Sequence, residues 1–209
     1  MDAFVMRPVV HILVLAAGAS SRMRGADKLL QPVKGRPILR LVAETALGTG
    51  APVLVTLPPA AAARRAAVED LPVRLVDVPD AAQGMSRSIL RGLSAVAEPG
   101  PEDGLMILPA DMPGFSAKAL ADLISRFRAE PDLIWRGGAM DGTPGHPAIF
   151  PRDLWPELGA ITGDEGGRSV LKRHQDRVRQ VPLPGAMATL DLDTPEDWAA
   201  YRGEKPPSA

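Results

Sequence analysis

Cysteine is absent from this chain of 209 residues. Without it, the protein can form neither a disulfide bond nor a zinc–thiolate site, and no thiolate can serve as a nucleophile. An excess of charge of either sign is also missing, because 24 Lys and Arg residues face 25 Asp and Glu residues. A chain with this balance has no overall field that would attract nucleic acid or an anionic membrane surface.

Long apolar runs are missing as well, and none approaches the roughly 20 residues that a membrane-spanning helix needs. We therefore expect a cytoplasmic protein with neither nucleic acid nor a membrane as partner. The length suits a single domain that buries its core without disulfide bonds. We predict this domain over residues 1–202 and a disordered C-terminal tail over residues 203–209.

What the sequence does contain is an alternation of strand-like and helix-like segments over its first two thirds. Apolar runs of strand length lie at residues 9–14, 53–57, 73–76, 105–108 and 133–135, with helical spacing between them. This order predicts right-handed βαβ units and a single-domain α/β fold with a doubly wound, mostly parallel sheet. A ligand is then expected at the carboxyl ends of the strands. After Gly137 we predict an insertion with strands at 147–150, 178–182 and 189–192.

The first predicted strand runs into a turn of mostly small residues, which let a backbone approach a ligand closely. The residues of this turn that we predict to contact a nucleotide are Leu15, Ala16, Ala17, Gly18 and Ser20. Arg22 and Lys28 follow them and can neutralise phosphate charge. A buried strand, a small-residue turn and then cations predict a polyphosphate site, although the spacing of a P-loop or of G-x-G-x-x-G is absent.

The same segment has two simpler interpretations. It could be a secretory signal, with Arg7 ahead of an apolar core and small residues at a cleavage site. His11 interrupts that core, and no cysteine follows to suggest an exported domain. It could also be an ordinary strand-to-helix loop, which the motifs farther along the chain make the weaker interpretation.

A lone carboxylate, Asp111, follows the apolar strand at residues 105–108, and Pro113 stiffens the turn behind it. Mg²⁺ typically binds one or two carboxylates together with substrate phosphates. Asp111 is too far upstream to cap the next helix, for which Ser116 is the better N-cap. We therefore predict Asp111 to be a catalytic residue and a Mg²⁺ ligand.

Two further aspartates precede the last predicted helix. Thr194 is expected to cap that helix, which begins at Pro195. Asp191 and Asp193 would then point to the same face of an extended strand. We predict Asp193 as the second Mg²⁺ ligand and Asp191 as its helper, while a role in capping alone is the alternative.

A glycine turn at residue 84 leads into a serine-rich helix, and its main-chain groups could read the edge of a base. Capping of the helix is the alternative for each serine. Downstream, a guanidinium in a Gly-Gly-Arg turn could bind a terminal phosphate, and a histidine beside a proline is either structural or substrate-lining. The additional residues predicted to line the site are Gly84, Met85, Ser86, Ser88, His146 and Arg168.

In this order the motifs resemble those of the nucleotidyltransferases of the sugar-nucleotide and molybdenum-cofactor type. The L-A-A-G-x-S-x-R-M…K signature begins at Leu15, with Arg24 inserted before the usual glycine. L-x-x-D-x-P surrounds Asp111, and D-x-D-T-P-E-D begins at Asp191. G-M-S-x-S-[IL], G-H-P-x-x-F and G-D-x-G-x-R are similar to stretches of molybdenum cofactor cytidylyltransferases.

The resemblance implies that CMP is transferred from CTP to the terminal phosphate of the molybdenum–molybdopterin cofactor, with Mg²⁺ as cofactor and pyrophosphate as product. Lys28 and Arg22 would neutralise the triphosphate, and a molybdoenzyme or its chaperone would be a further partner. Ala17, where guanylyltransferases have glycine, favours CTP. The alternatives are a GTP-using guanylyltransferase, cytidylyl or uridylyl transfer to a sugar or alditol phosphate, and a non-enzymatic nucleotide-binding protein.

Overall fold

A computed structural model describes residues 7–204 of the chain. Of the tail predicted for residues 203–209, residues 205–209 lie outside this range. Gly203 and Glu204 lie inside it and end the last helix, where the Glu204 N–H donates to the Ala199 carbonyl oxygen over 2.8 Å. These two residues therefore belong to the folded domain.

A seven-stranded sheet in the order β5-β4-β1-β6-β8-β7-β9 forms the centre of the fold. Its strands are β1 (Val10–Leu15), β4 (Val53–Leu57), β5 (Arg74–Asp77), β6 (Gly104–Pro109), β7 (Ile134–Gly138), β8 (Pro144–Pro151) and β9 (Val178–Pro182), and a short hairpin adds β2 (Pro32–Val33) and β3 (Arg36–Pro37). Only β8 runs antiparallel to its two neighbours in this sheet. The predicted α/β fold with a mostly parallel sheet is confirmed.

Helices cover both faces of this sheet. They are α1 (Ile38–Leu47), α2 (Ala62–Ala66), α3 (Met85–Ala95), α4 (Ala117–Ala129), α5 (Trp155–Ala160), α6 (Arg168–Arg173) and α7 (Pro195–Arg202). Ile12 and Val14 pack into one core and Leu13 into the other, so β1 is buried on both faces, as its valine-rich sequence predicts. Within residues 7–204, no helix has the length and apolar character needed to span a membrane.

The helix caps follow the sequence. The Ser116 side chain accepts a hydrogen bond from the Ala119 N–H at the start of α4. Thr194 and Asp197 form a capping box at the start of α7, with Pro195 in its first turn. Both caps begin their helices where the sequence predicts them.

The strand predicted at residues 189–192 is not formed. A series of turns precedes this segment, beginning near Gly185, which has a φ of 59°. Single hydrogen bonds then hold this part of the chain: the His146 N–H on β8 donates to the Ala188 carbonyl oxygen, and the Leu192 N–H donates to the Asp111 carbonyl oxygen in the loop after β6. The chain between β9 and α7 therefore crosses the carboxyl ends of the strands without joining the sheet.

Candidate functional site

A cavity of about 730 Å³ lies at the carboxyl ends of β1 and β6. This is the edge of the sheet where the alternation of strands and helices places a ligand. The predicted site residues that line it are Leu15, Ala17, Gly18, Arg22, Lys28, Gly84, Met85, Ser88, Asp111, His146, Arg168 and Asp193, together with Asp191. The fold thus brings together segments that are distant in the sequence.

Three predicted contact residues lie behind the cavity wall. The Ala16 N–H approaches the Thr56 hydroxyl oxygen at 3.3 Å, and its side chain is fully buried. Ser20 donates its hydroxyl to Asp27, and the Ser86 N–H donates to the Gly163 carbonyl oxygen. These groups are used within the protein and the three residues do not line the cavity, so their contact with a nucleotide stays a prediction.

Lys28 lies at the centre of the charged end of the cavity. Its Nζ is 2.5 Å from Asp111 Oδ2 and 2.5 Å from Asp193 Oδ1. Arg22 also pairs with Asp193. Burial alone would lower the pKa of Lys28, but the charges of the two aspartates and their hydrogen bonds raise it above its usual value. Lys28 is therefore a fixed positive charge at any pH near neutrality.

Asp111 has one oxygen that is not satisfied within the protein. Its Oδ1 is buried and has no hydrogen-bond partner among residues 7–204, whereas Oδ2 bonds to Lys28. An unpaired buried carboxylate oxygen is costly unless a ligand completes it. Asp111 and Asp193 thus fit a hard cation such as Mg²⁺. No group of three His, Asp or Glu residues arranged for a metal exists in the described range, so such a cation would depend on substrate oxygens.

Asp191 also reaches the cavity, but its environment differs from that of Asp193. Burial raises the pKa of Asp191 above its usual value, and repulsion from Asp193 and Asp111 adds to this. Lys28 makes its second hydrogen bond to Asp193 and not to Asp191. The geometry therefore favours Asp193 over Asp191 as the partner of Asp111.

Arg64 on α2 is a site residue that the sequence analysis missed. It is only 5% exposed and binds Asp27 through Nε and Nη2. Its Nη1 donates to the Ala16 carbonyl oxygen over 2.7 Å and to the Gly18 carbonyl oxygen over 2.8 Å. Arg64 thereby holds the backbone of the small-residue turn in place from inside the protein. Arg64 and Arg65 stand side by side in an alanine-rich stretch, and nothing local distinguishes the one with this role.

The turn at Gly84 is fixed by the loop before α6. Gly84 has a φ of 109°, and a Cβ there would lie 2.5 Å from the Gly163 backbone. The Met85 N–H donates to Asp164 Oδ1 over 3.0 Å, and the Ser86 N–H donates to Gly163. These two N–H groups are therefore used within the protein and are not available to read a base edge, whereas the Met85 and Ser88 side chains line the cavity.

A second group of nitrogen-bearing side chains, two of them guanidinium groups, lines the same cavity. It contains His146, Arg168 and Arg136, the last of which the sequence analysis missed. The His146 ring is accessible from the cavity yet surrounded by protein, and this desolvation lowers its pKa, with Arg136 and Arg168 adding to the shift. His146 is therefore neutral near pH 7, and the two guanidinium groups carry the charge.

Comparison with known proteins identifies the family to which the chain belongs. A family model described as "MobA-like NTP transferase domain" matches residues 12–178. The chain belongs to the MobA-like NTP transferase family. The predicted resemblance to molybdenum-cofactor nucleotidyltransferases is thus confirmed at the level of the family, and the protein is an enzyme of the nucleotidyltransferase type.

Several named relatives of this MobA-like chain span nearly its whole length. Purine catabolism protein PucB of Bacillus subtilis is 32% identical, and the match covers 93% of this chain and 97% of PucB. The molybdenum cofactor guanylyltransferase of Rhodopseudomonas palustris is 30% identical over 94% of this chain and 92% of its own. Nicotine blue oxidoreductase of Paenarthrobacter nicotinovorans is 28% identical over 90% and 94%. Their names differ, so family membership alone does not define one reaction.

Solved structures agree with the fold. Rv0371c of Mycobacterium tuberculosis has a TM-score of 0.81 and 27% identity, and the match covers 95% of this chain and 100% of Rv0371c. A complex of Rv0371c with manganese has a TM-score of 0.76, with 92% and 97% covered. A protein with this fold has thus been crystallised with manganese.

Proposed function

We propose that this MobA-like enzyme transfers a nucleoside monophosphate from a nucleoside triphosphate to the terminal phosphate of a molybdopterin-type acceptor and releases pyrophosphate. The observation that carries this proposal is the position of Lys28 between Asp111 and Asp193, beside the turn at Gly18. Cations and metal-binding oxygens at the end of a buried strand suit a triphosphate. The relatives named as molybdenum cofactor guanylyltransferases support the acceptor class.

The reaction is an in-line displacement. An oxygen of the acceptor phosphate forms a bond to the α-phosphorus while the bond from that phosphorus to the pyrophosphate oxygen breaks. Because the attacking oxygen is already anionic, no general base is needed. The barrier is mainly the repulsion between two anions, which Lys28 and Arg22 lower by holding positive charge beside the triphosphate.

Asp111 and Asp193 would hold the Mg²⁺ ion. Such an ion supplies charge neutralisation on the phosphate oxygens and orients them. The unpartnered Oδ1 of Asp111 is the protein's clearest unused ligand for it. Asp191, whose raised pKa reflects a less favourable environment for its charge, would assist without being a principal ligand.

Different observations support CTP and GTP as the donor nucleotide. Ala17 lines the cavity wall beside Gly18, and its methyl group stands where guanylyltransferases have glycine, which supports CTP. The relatives named as guanylyltransferases, including those from Rhodopseudomonas palustris and Nostoc, support GTP. We propose CTP as the donor on the residues of this chain and keep GTP as the second candidate.

The nucleotide preference is tested by competition. We expect kcat/KM for CTP to exceed that for GTP by about 10²-fold in the presence of Mg²⁺ and molybdopterin-type acceptor. Ala17→Gly should narrow this ratio without reversing it, because one methyl group discriminates by only about 1–3 kcal/mol. The cytosine and guanine dinucleotide products are quantified with both triphosphates present, and omission of the acceptor is the control. A preference for GTP would replace CTP as donor, and the absence of acceptor-dependent pyrophosphate release with either triphosphate would refute the transferase proposal.

The metal assignment is tested by comparing two neighbouring aspartates. Asp193→Ala is expected to raise the Mg²⁺ concentration for half-maximal rate by about 10-fold or more, because it removes a ligand oxygen and leaves Asp111 alone. Asp191→Ala is the matched control and should change this concentration much less. Equal shifts in the two variants, or a shift in Asp191→Ala alone, would overturn the assignment.

The predicted transfer of the product to a molybdoenzyme or its chaperone stays a prediction. A pull-down of such a partner with the nucleotide-loaded enzyme would test it separately from catalysis.

A further inference from the structure

The two ends of the cavity differ in how their positive charges are paired. Lys28 and Arg22 are bonded to carboxylates. Among residues 7–204, neither Arg136 nor Arg168 makes an ion pair, although both line the cavity. This second end therefore presents positive charge that no protein carboxylate neutralises.

Arg136 is held in a defined orientation by the backbone around it. Its Nε donates to the Gly145 carbonyl oxygen over 2.8 Å. The pairing of β7 with β8 shifts register between Arg136 and Gly138, and bulges of this kind often redirect side chains at functional sites. A Cβ at Gly137 would overlap the His146 carbonyl oxygen, so the two strands approach closely at this point. One nitrogen of Arg136 thus anchors the side chain and its terminal nitrogens remain for a ligand.

The surroundings of Arg136 show that the positive groups act on one another. Its pKa is lowered by burial and by the nearby charge of Arg168. The charges of both arginines also lower the pKa of His146, whereas the charge of Asp111 raises it. Asp164 also lines the cavity, but its Oδ1 accepts the Met85 N–H. Two guanidinium groups that repel each other beside a neutral imidazole are stabilised when an anion lies between them.

We propose that Arg136, Arg168 and His146 form a second anion site, which binds the phosphate monoester of the acceptor. Two guanidinium groups match the charge and the oxygen geometry of such a phosphate, and the imidazole can donate one more hydrogen bond. This inference rests on the proposed function, because it divides the cavity into a triphosphate end at Lys28 and an acceptor end at Arg136. The acceptor phosphate is thereby held facing the donor.

The site is tested with inorganic phosphate as the probe. The triphosphate end is first filled with the α,β-methylene analogue of CTP or of GTP, whichever binds more tightly, together with Mg²⁺. Phosphate is then titrated calorimetrically into the wild type and into Arg136→Gln, Arg168→Gln and Arg136→Lys. Arg179→Gln is the matched control, because Arg179 lies on the neighbouring strand β9 and its guanidinium bonds only to backbone oxygens.

Arg136→Gln and Arg168→Gln should each weaken phosphate binding by about 10- to 100-fold, the usual cost of a lost charge-assisted hydrogen bond. Arg136→Lys should weaken phosphate binding by an intermediate amount, because lysine keeps the positive charge but lacks the paired N–H donors of a guanidinium group. Affinity for the triphosphate analogue should be unchanged in all variants. If phosphate binds equally well to Arg136→Gln, Arg179→Gln and the wild type, or does not bind the wild type, the second anion site is refuted.

Failure of the proposed function would give a different experimental result from failure of the second anion site. If neither analogue binds, the triphosphate end is wrongly assigned, and the phosphate titration is then run on the protein alone. Weakening in Arg136→Gln but not in Arg179→Gln would still support the anion site in that case. Circular dichroism and thermal melting establish that each variant is folded, so that a loss of binding is not a loss of structure.

Discussion

Asp111→Asn is expected to lower kcat/KM by about 10²- to 10³-fold at saturating Mg²⁺, about 3–4 kcal/mol of transition-state stabilisation. The amide has nearly the same shape as the carboxylate but no negative charge. One carboxylate oxygen of Asp111 is buried and has no hydrogen-bond partner in the described part of the chain, and the other lies 2.5 Å from Lys28 Nζ. The substitution therefore removes both the metal ligand and the ion pair while changing the packing little.

This result is measured by pyrophosphate release over a range of Mg²⁺ concentrations, with thermal melting as the check on folding. Asp122→Asn is the matched control, because Asp122 is an exposed aspartate on α4 that also pairs with a lysine, Lys118. It should leave turnover unchanged. Turnover close to that of the wild type in Asp111→Asn, with Mg²⁺ still required, would remove Asp111 from the metal site.

Lys28→Ala is expected to lower kcat/KM by about 10²-fold or more, because the enzyme loses the fixed positive charge beside the triphosphate. The effect of Lys28→Ala on the stability of the folded protein should depend on whether a divalent cation is present. Without Lys28, Asp111 loses its ion pair and Asp193 keeps only the exposed Arg22, so repulsion between the two carboxylates destabilises the folded protein. A divalent cation that binds this carboxylate pair should then stabilise the folded state by mass action.

The measurement is the thermal midpoint of Lys28→Ala and of the wild type with and without Mg²⁺, alongside pyrophosphate release. Mg²⁺ should raise the midpoint more in Lys28→Ala. Lys118→Ala, which removes an exposed lysine from α4, is the control and should change neither quantity. Loss of activity with no difference in the response to Mg²⁺ would separate Lys28 from the metal site.

Much of this site follows from short-range sequence signals. An apolar strand that ends in a small-residue turn predicts both β1 and the phosphate end of the cavity. Asp111 directly after the apolar run of β6 is predictable for the same reason, since strand ends of a parallel sheet share one edge. The capping box at Thr194 could be read from four residues. In each case the information lies within a few positions of the residue concerned.

The residues that the sequence analysis missed act over long distances. Arg64 contacts the Ala16 carbonyl oxygen across 48 positions of sequence, and nothing in its own helix indicates that partner. Arg136 lines the cavity where the register shifts between β7 and β8, and the sequence does not indicate such a shift. The predicted strand at residues 189–192 has suitable residues, but turns ahead of it prevent pairing with the sheet. Tertiary contacts decide the first two, and adjacent turns decide the third.

The bonds from Arg64 to the small-residue turn have a consequence for the speed of nucleotide capture. The carbonyl oxygens of Ala16 and Gly18 and the carboxylate of Asp27 are tied to one buried guanidinium, so the turn has its working shape before any ligand arrives. The entropic cost of ordering this backbone therefore arises during folding and does not oppose each binding of a nucleotide. Association is therefore expected to be limited by diffusion and electrostatic attraction, and its rate constant should fall as ionic strength rises.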